Sequence, residues 1–248
     1  MNIFLGDIHG EFVKINRYIK KYDITDADIY QVGDFGVGFK SFEKELRQLK
    51  PLNEVLKNRN ITLYAIRGNH DYPEYFRKDP FQFSNIKLLP DYTVVESNGQ
   101  KILLIGGAIS VDRGGRYTTR QKIKDYEIHG NESWWHDEVF VLDEEKLKTF
   151  TDIDVVVTHT CPSYCEPFMK GGVGGFVEDL IRKYGDLELR GQLMEEREML
   201  DRAFEILSEK NDIKNHYYGH FHNTSVTINN GIKHRLLDID EFYTEPYY

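Results

Sequence analysis

The residues that could do chemistry in this sequence are acidic, imidazole and amide side chains placed directly after short apolar runs. The stretch GDIHG carries Asp7 and His9 two residues apart, after the apolar run Asn2–Leu5. At the end of a strand, alternate side chains point to the same side, so these two groups could converge on one metal ion. An Asp-x-His pair also arises by chance, and this pair alone leaves both interpretations open.

Four further apolar runs end in the same way, on side chains that can bind a metal ion. The residues that follow these runs are Asp34, Asn69, His159, His220 and His222. In open α/β sheets, functional groups gather beyond the carboxyl ends of the strands. The combined set has two carboxylates, one amide and four imidazoles but no thiolate, which suits Mn, Fe or Zn. Seven ligands are too many for one ion, so we expect two ions that share a carboxylate, as in sites that hydrolyse phosphate esters.

The order of these motifs resembles that of the calcineurin-like metallophosphoesterase family. The five motifs are GDIHG, VGDFG, RGNHD, THTCP and GHFH, and they extend from Gly6 to His222. The resemblance implies an α/β fold in which two mixed β-sheets pack face to face with helices on the outside, a four-layer α-β-β-α sandwich. It also divides the ligands between two ions: one is bound by Asp7, His9 and His222, the other by Asn69, His159 and His220, and Asp34 bridges them.

The same resemblance gives roles to residues beside the ligands. His70 would donate a proton to the leaving alkoxide, and Asp71 would orient His70 and stabilise its protonated form. Many protein phosphatases of the family carry an arginine motif after the second strand, where this chain has GDFGVGF. Arg67, Arg113 and Arg116 are candidate substitutes for binding phosphate, because arginine binds phosphate oxygens bidentately. The alternative for these arginines is a solvated loop.

The function expected from these residues is hydrolysis of phosphate esters. Two divalent or mixed-valence ions, with Mn favoured, would neutralise the phosphate and lower the pKa of an attacking water. We expect a phosphomonoesterase that acts on a phosphorylated small molecule or a phosphoprotein. One alternative is a phosphodiesterase acting on cyclic nucleotides or nucleic acid, and another is a non-catalytic scaffold of the same fold.

The composition limits the partners of the protein. The chain has 248 residues and a net charge of -9, so no overall positive field favours nucleic acid. No apolar run approaches the roughly 20 residues that span a bilayer, so we expect no membrane partner. We expect a cytoplasmic protein without a cleaved signal, because Asp7 and His9 lie where a signal would be removed. The oligomeric state is left open.

The pattern of elements favours one metallophosphoesterase domain over residues 1–248, with cap or loop insertions near 111–138 and 161–210. Strands are predicted over 2–5, 27–32, 61–66 and 154–157, and a hairpin over 93–108 turns at Asn98-Gly99. A helix is predicted to begin after Ser41 and to break or kink at Pro51, and a long helix is predicted over 187–209.

Three other features have ordinary structural explanations. His216 lies in a predicted strand, and we expect it to be packed. Trp134 and Trp135 could form an aromatic shelf for a leaving group, but tryptophan more often packs inside a fold. Cys161 and Cys165 are expected to be buried structural thiols, because nothing near them in the sequence lowers the pKa of a thiol.

Overall fold

The computed structural model describes residues 1–116, 134–165 and 174–245. Within these ranges the strands are β1 (Asn2–Leu5), β2 (Ala27–Gln31), β3 (Ile61–Ala65), β4 (Ile86–Leu88), β5 (Thr93–Ser97), β6 (Gln100–Ile105), β7 (Val155–Thr158), β8 (Asn215–Tyr218), β9 (Ser225–Asn229), β10 (Ile232–Leu236) and β11 (Phe242–Thr244). The helices are α1 (Val13–Lys21), α2 (Phe42–Asn58), α3 (Pro73–Lys78), α4 (Glu144–Leu147), α5 (Gly174–Tyr184) and α6 (Leu189–Ser208).

The strands form two mixed sheets, as predicted. The first sheet has the order β11-β1-β2-β3-β4, in which β1 to β4 are parallel and β11 is antiparallel to β1. The second has the order β5-β6-β7-β8-β10-β9, with parallel strands in the centre and an antiparallel pair at each edge. The parallel centres bring the carboxyl ends of successive strands to the same edge of each sheet.

Alternation along the strands explains how the sheets pack. In β1, Phe4 points toward the second sheet and stacks on Tyr217 with ring centroids 3.7 Å apart. Its neighbours Ile3 and Leu5 belong to a different cluster, which contains the buried apolar residues of α1 and α2. On the outer face of the second sheet, residues of β6 and β7 cluster with α6. The two sheets therefore face each other with helices outside, and the predicted four-layer fold is confirmed.

Some predicted boundaries differ from the structure. Both β2 and β3 end one residue earlier than predicted, and the three-residue strands β4 and β11 were not predicted. Helix α2 runs from Phe42 to Asn58 through Pro51, so the predicted break is wrong. Leu49 and Leu52, on either side of the proline, are buried in the same core, and this packing outweighs the local disruption. The predicted insertions near 111–138 and 161–210 include residues 117–133 and 166–173, which lie outside the described residues.

Candidate metal centre and active site

The candidate ligands follow five parallel strands at one edge of the two sheets. Asp7 and His9 come after β1, Asp34 after β2 and Asn69 after β3, all in the first sheet. In the second sheet, His159 comes directly after β7, and His220 and His222 come after β8. The face-to-face packing of the sheets brings both groups together, so the topology itself assembles the set that the sequence predicted.

The loops that carry these side chains are unusually tight. His9, Asp34, His220 and His222 have positive φ angles of 48°, 55°, 71° and 49°. For residues with a Cβ atom such a conformation destabilises the chain by about 1–3 kcal/mol, so the surrounding structure must hold it in place. Ten other non-glycine residues of the described chain also have a positive φ, so this backbone shows how sharply the loops turn and does not by itself mark the site.

Glycines in two of these loops let other chain segments approach the carboxylates. A Cβ atom on Gly68 would lie 2.1 Å from Asp34 Oδ1, and one on Gly219 would lie 2.1 Å from Asp7 Oδ1. Any side chain at either position would therefore displace a candidate ligand.

One group of donors lies on the Oδ2 side of Asp34. His222 Nε2 is 3.3 Å from Asp7 Oδ2 and 3.1 Å from His9 Nε2. His9 Nδ1 is 3.9 Å from Asp34 Oδ2. Asp7, His9, Asp34 and His222 each offer a ligand atom, and these atoms lie within 4.8 Å of one another. This cluster is a possible metal-binding site.

A second group of donors lies on the Oδ1 side of Asp34. His159 Nε2 is 3.2 Å from Asp34 Oδ1 and 3.1 Å from Asn69 Oδ1. The His220 ring lies against that of His159, with centroids 5.0 Å apart, and the His220 backbone amide donates to Asp7. The structure thus brings together all seven residues predicted as ligands.

The charges of these groups suit a cation. Burial alone would raise the pKa of Asp34, but the charge and the hydrogen bond of His159 hold it well below its usual range. Burial lowers the pKa of His220 well below its usual value, which keeps that imidazole neutral. Burial would lower the pKa of His159, but the charge of Asp34 raises it to about 9, so His159 carries a proton in the free site that a metal ion would displace. Carboxylate, imidazole and amide oxygen are donors that suit divalent metals, so the residues fit the expected ions.

His70 lies at the mouth of the site beside Arg116. The His70 backbone amide donates to Asp34 Oδ1 at 2.6 Å, and its Nε2 contacts Arg116 Nη2. Arg116 also pairs with Asp112 at 2.8 Å. Burial lowers the pKa of His70 to about 4; the charge of Asp34 opposes this shift and that of Arg116 adds to it. The imidazole is therefore neutral at pH 7 in the free site.

The structure corrects the role predicted for Asp71. Its buried carboxylate does not orient His70 but accepts hydrogen bonds from four backbone amides. The donors are Phe35 at 3.0 Å, Gly36 at 2.7 Å, Val37 at 3.1 Å and Gly68 at 2.8 Å. Asp71 therefore ties the loop after β2 to the loop after β3, and it positions Asp34 and Asn69 through the backbone.

Two of the three predicted phosphate-binding arginines hold the fold instead. Arg67 is 4% exposed, pairs with Asp91 at 2.7 Å and donates to the carbonyls of residues 137, 138 and 139. Arg113 donates to Asp186 at 2.6 Å and to Gln192 at 2.6 Å. Neither is a solvated residue, and neither lines the cavity at the site. Arg116 does line it, so it is the arginine whose placement agrees with the prediction.

A cavity of about 300 Å³ opens beside the candidate ligands. Its polar lining comes from Asp34, Asn69, His70, Asp112, Arg116, His220 and His222. Val111, Phe176 and Phe221 form an apolar wall, and their role was not predicted from the sequence. The wall brings together three distant chain segments, so no local motif could have indicated it.

Trp135 and His216, two other residues discussed from the sequence, are packed inside the fold. Trp135 is buried against Phe39 and Tyr72, outside the lining of the cavity. His216 is fully buried and contacts Thr158 Oγ1 at 2.7 Å and His234 Nδ1 at 2.9 Å. The prediction that His216 is packed is confirmed.

Both cysteines are buried thiols that form no disulfide, as predicted. Their surroundings differ from the expectation, because Arg197 Nη1 lies 3.1 Å from Cys161 Sγ. Burial alone would raise the pKa of Cys161, but hydrogen bonding with Cys165 and the charge of Arg197 lower it. The arginine comes from α6, 36 residues away, so the sequence around the cysteines gave no sign of it.

Comparison with known proteins gives one informative match. A family model described as calcineurin-like phosphoesterase matches residues 3–224 of the chain. No curated protein sequence matches the chain significantly.

None of the described helices combines the length and apolar character needed to cross a membrane.

Three solved structures are similar over 96% of this chain, at low identity. GAP50, the anchor in the inner membrane complex of Plasmodium, is 14% identical, with 70% of that chain covered and a TM-score of 0.41. The phosphopantetheinyl hydrolase of Mycobacterium tuberculosis is 13% identical, with 90% of that chain covered and a TM-score of 0.41. A Staphylococcus aureus protein described as a putative 5′-nucleotidase is 12% identical, with 48% of that chain covered and a TM-score of 0.43. At TM-scores below 0.5, these similarities support no conclusion about substrate.

Proposed function

Because the chain belongs to the calcineurin-like phosphoesterase family, we propose that it is a phosphomonoesterase that uses two metal ions. The observation that carries the proposal is the position of Asp34 between two groups of donors. Its Oδ2 faces His9 at 3.9 Å, and its Oδ1 faces His159 at 3.2 Å. A carboxylate with one oxygen toward each group is what a shared ligand requires.

The proposed ligands follow the two groups. Asp7, His9 and His222 would hold one ion, Asn69, His159 and His220 the other, and Asp34 both. The ions would be Mn, Fe or Zn, with Mn favoured, since oxygen and imidazole nitrogen donors without thiolate suit all three. When bound, the ions would neutralise the phosphate and lower the pKa of the attacking water.

His70 and Arg116 are the residues proposed to act on the ester itself. Both line the cavity, and the Arg116 guanidinium can donate two hydrogen bonds to phosphate oxygens. A phosphate ester would bring negative charge beside His70 and offset the charge of the metal ions, and this negative charge favours the protonated imidazole. The protonated ring can then donate to the leaving oxygen.

The shape of the cavity supports a small monoester. A volume of about 300 Å³ suits a phosphorylated small molecule better than a phosphoprotein or a nucleic acid strand. The apolar wall of Val111, Phe176 and Phe221 favours an apolar or aromatic leaving group. The net charge of -9 further disfavours a polyanionic partner.

Two broader proposals accompany this function. Residues 1–248 form one metallophosphoesterase domain, since both sheets contribute ligands to the same site. We also propose the cytoplasm as the compartment, because two cysteines four residues apart provide no disulfide framework.

The test is the initial rate on an aryl phosphomonoester and on the matching bis-aryl diester, with Mn²⁺ supplied and with a chelator as control. Faster, chelator-sensitive hydrolysis of the monoester is expected. A preference for the diester would replace the proposal with a phosphodiesterase. No turnover of either ester would favour a non-catalytic scaffold.

A further inference from the structure

The amide of Asn69 has a defined orientation in the site. Its Nδ2 donates to Ser110 Oγ at 3.1 Å, while its Oδ1 faces His159 Nε2 at 3.1 Å. An amide oxygen can bind a metal ion, whereas the NH₂ group at the other end is only a donor. The bond to Ser110 therefore determines which end of the amide is presented to the site.

Ser110 is held in turn by a buried carboxyl group. Its backbone amide donates to Glu138 Oε1 at 2.7 Å, and Trp134 Nε1 donates to the same oxygen at 3.1 Å. Ser110 is fully buried and Glu138 is 1% exposed. Burial raises the pKa of Glu138 to about 8, and hydrogen bonds from the hydroxyl and the amide of Ser110 oppose that rise. Hydrogen bonds therefore link Asn69 in the metal site through Ser110 to Glu138 in the interior of the fold.

The arrangement joins the two sheets at the point where they share the site. Asn69 follows β3 of the first sheet, and Ser110 follows β6 of the second. Glu138 Oε2 is buried and makes no hydrogen bond within the described parts of the chain. A buried carboxyl group with one unpartnered oxygen destabilises a fold.

Resting on the function proposed above, we propose that Ser110 and Glu138 are positioning residues that direct the Asn69 amide oxygen toward the metal ion. Partners that orient ligands in this way typically change metal affinity by about 10–100-fold when they are removed. Only the ion bound by Asn69 should be affected, because within the described residues Ser110 makes no hydrogen bond to Asp7, His9 or His222.

The experiment is a calorimetric titration of the metal-free protein with Mn²⁺, for the wild type and for Ser110→Ala. The expected result is about 10–100-fold weaker binding of one Mn²⁺ equivalent and unchanged binding of the other. Ser110→Thr, which keeps the hydroxyl, should retain the wild-type affinity. Equal binding of both equivalents by the wild type and Ser110→Ala would overturn the inference and leave the proposed function intact. Absence of Mn²⁺ binding by the wild type would overturn both.

A double-mutant cycle separates orientation from packing. Asn69→Asp places an oxygen at both ends of the side chain, so the orientation of the group no longer matters. Ser110→Ala should therefore weaken Mn²⁺ binding when it is introduced into the wild type. Introduced into the Asn69→Asp variant, it should change the affinity by less than about threefold, because the orienting role accounts for the 10–100-fold loss. An equal loss in both backgrounds would mean that Ser110 acts through packing, and the inference would be wrong.

Glu138 has a matched control in Glu45. Glu45 is also buried, its Oε1 accepts from the backbone amides of Gly38 and Lys40, and its Oε2 has no hydrogen bond within the described residues. Glu138→Ala should weaken binding of the same Mn²⁺ equivalent that Ser110→Ala weakens. Glu45→Ala should leave Mn²⁺ affinity unchanged. Equal effects of the two variants on affinity would contradict the role of Glu138.

Discussion

The buried pair His216 and His234 should make the stability of the protein fall steeply in mild acid. Both side chains are fully buried, and their Nδ1 atoms are 2.9 Å apart. Burial lowers the pKa of His234 from 6.5 to about 4, and burial together with the neighbouring imidazole lowers that of His216. The unfolded chain therefore binds protons at these positions between pH 6.5 and 4, while the folded protein does not.

The sign and the size of the effect follow from this difference. Above pH 6.5 the imidazole of His234 is neutral in both states, and stability is unaffected. As pH falls below 6.5, protonation stabilises the unfolded state by about 1.4 kcal/mol per pH unit. His234 alone should therefore lower the free energy of unfolding by about 2 kcal/mol at pH 5 and by about 3 kcal/mol near pH 4.

The assay is urea unfolding of the metal-free protein at about pH 7.5, 6.0 and 5.0, for the wild type and for His234→Gln. The variant should lose about 2 kcal/mol less than the wild type between the highest and the lowest pH. The exposed His136 provides the control, because His136→Gln removes no buried group and should follow the wild type. Parallel pH dependence of the wild type and His234→Gln would refute the reasoning.

Three further predictions concern the site and its support. His70→Ala should reduce turnover by about 10²-fold or more, while the metal content measured by elemental analysis stays at the wild-type level. Loss of metal from this variant would mean that His70 is a metal ligand. Arg116→Ala should raise the KM for an aryl phosphomonoester by about tenfold, because one charge-assisted contact to phosphate is lost. An unchanged KM in steady-state kinetics would show that Arg116 does not bind the substrate. Arg67→Ala should lower the free energy of unfolding by about 3 kcal/mol, because Asp91 loses its ion pair and the carbonyls of residues 137, 138 and 139 each lose one donor. Urea unfolding within about 0.5 kcal/mol of the wild type, the change at an ordinary surface position, would contradict that role.

The sequence indicated where the candidate ligands lie, because their positions depend on local sequence. Each candidate ligand follows an apolar strand closely, and parallel strands bring their carboxyl ends to one edge. The sequence therefore indicated the site before the sheets were known. Two mixed sheets were predicted from the family resemblance and from the Asn98-Gly99 hairpin, which the structure has between β5 and β6.

The supporting residues could not be predicted, because their partners are distant in the sequence. Arg67 meets its acceptors 24 and about 70 residues away, and Ser110 meets Asn69 41 residues away. Asp71 was assigned to His70 by analogy with other carboxylate–imidazole pairs. Its actual donors are backbone amides that only the folded loops bring together.

The central claim is that phosphate ester hydrolysis requires two ions held on the two sides of Asp34. It is tested most directly by adding Mn²⁺ to the metal-free protein and measuring both the bound Mn²⁺ and the rate on an aryl phosphomonoester. The account predicts that the rate reaches its maximum only when two equivalents are bound, and that Asp34→Asn loses both equivalents and the activity. Full activity with one equivalent, or full activity of Asp34→Asn, would contradict it.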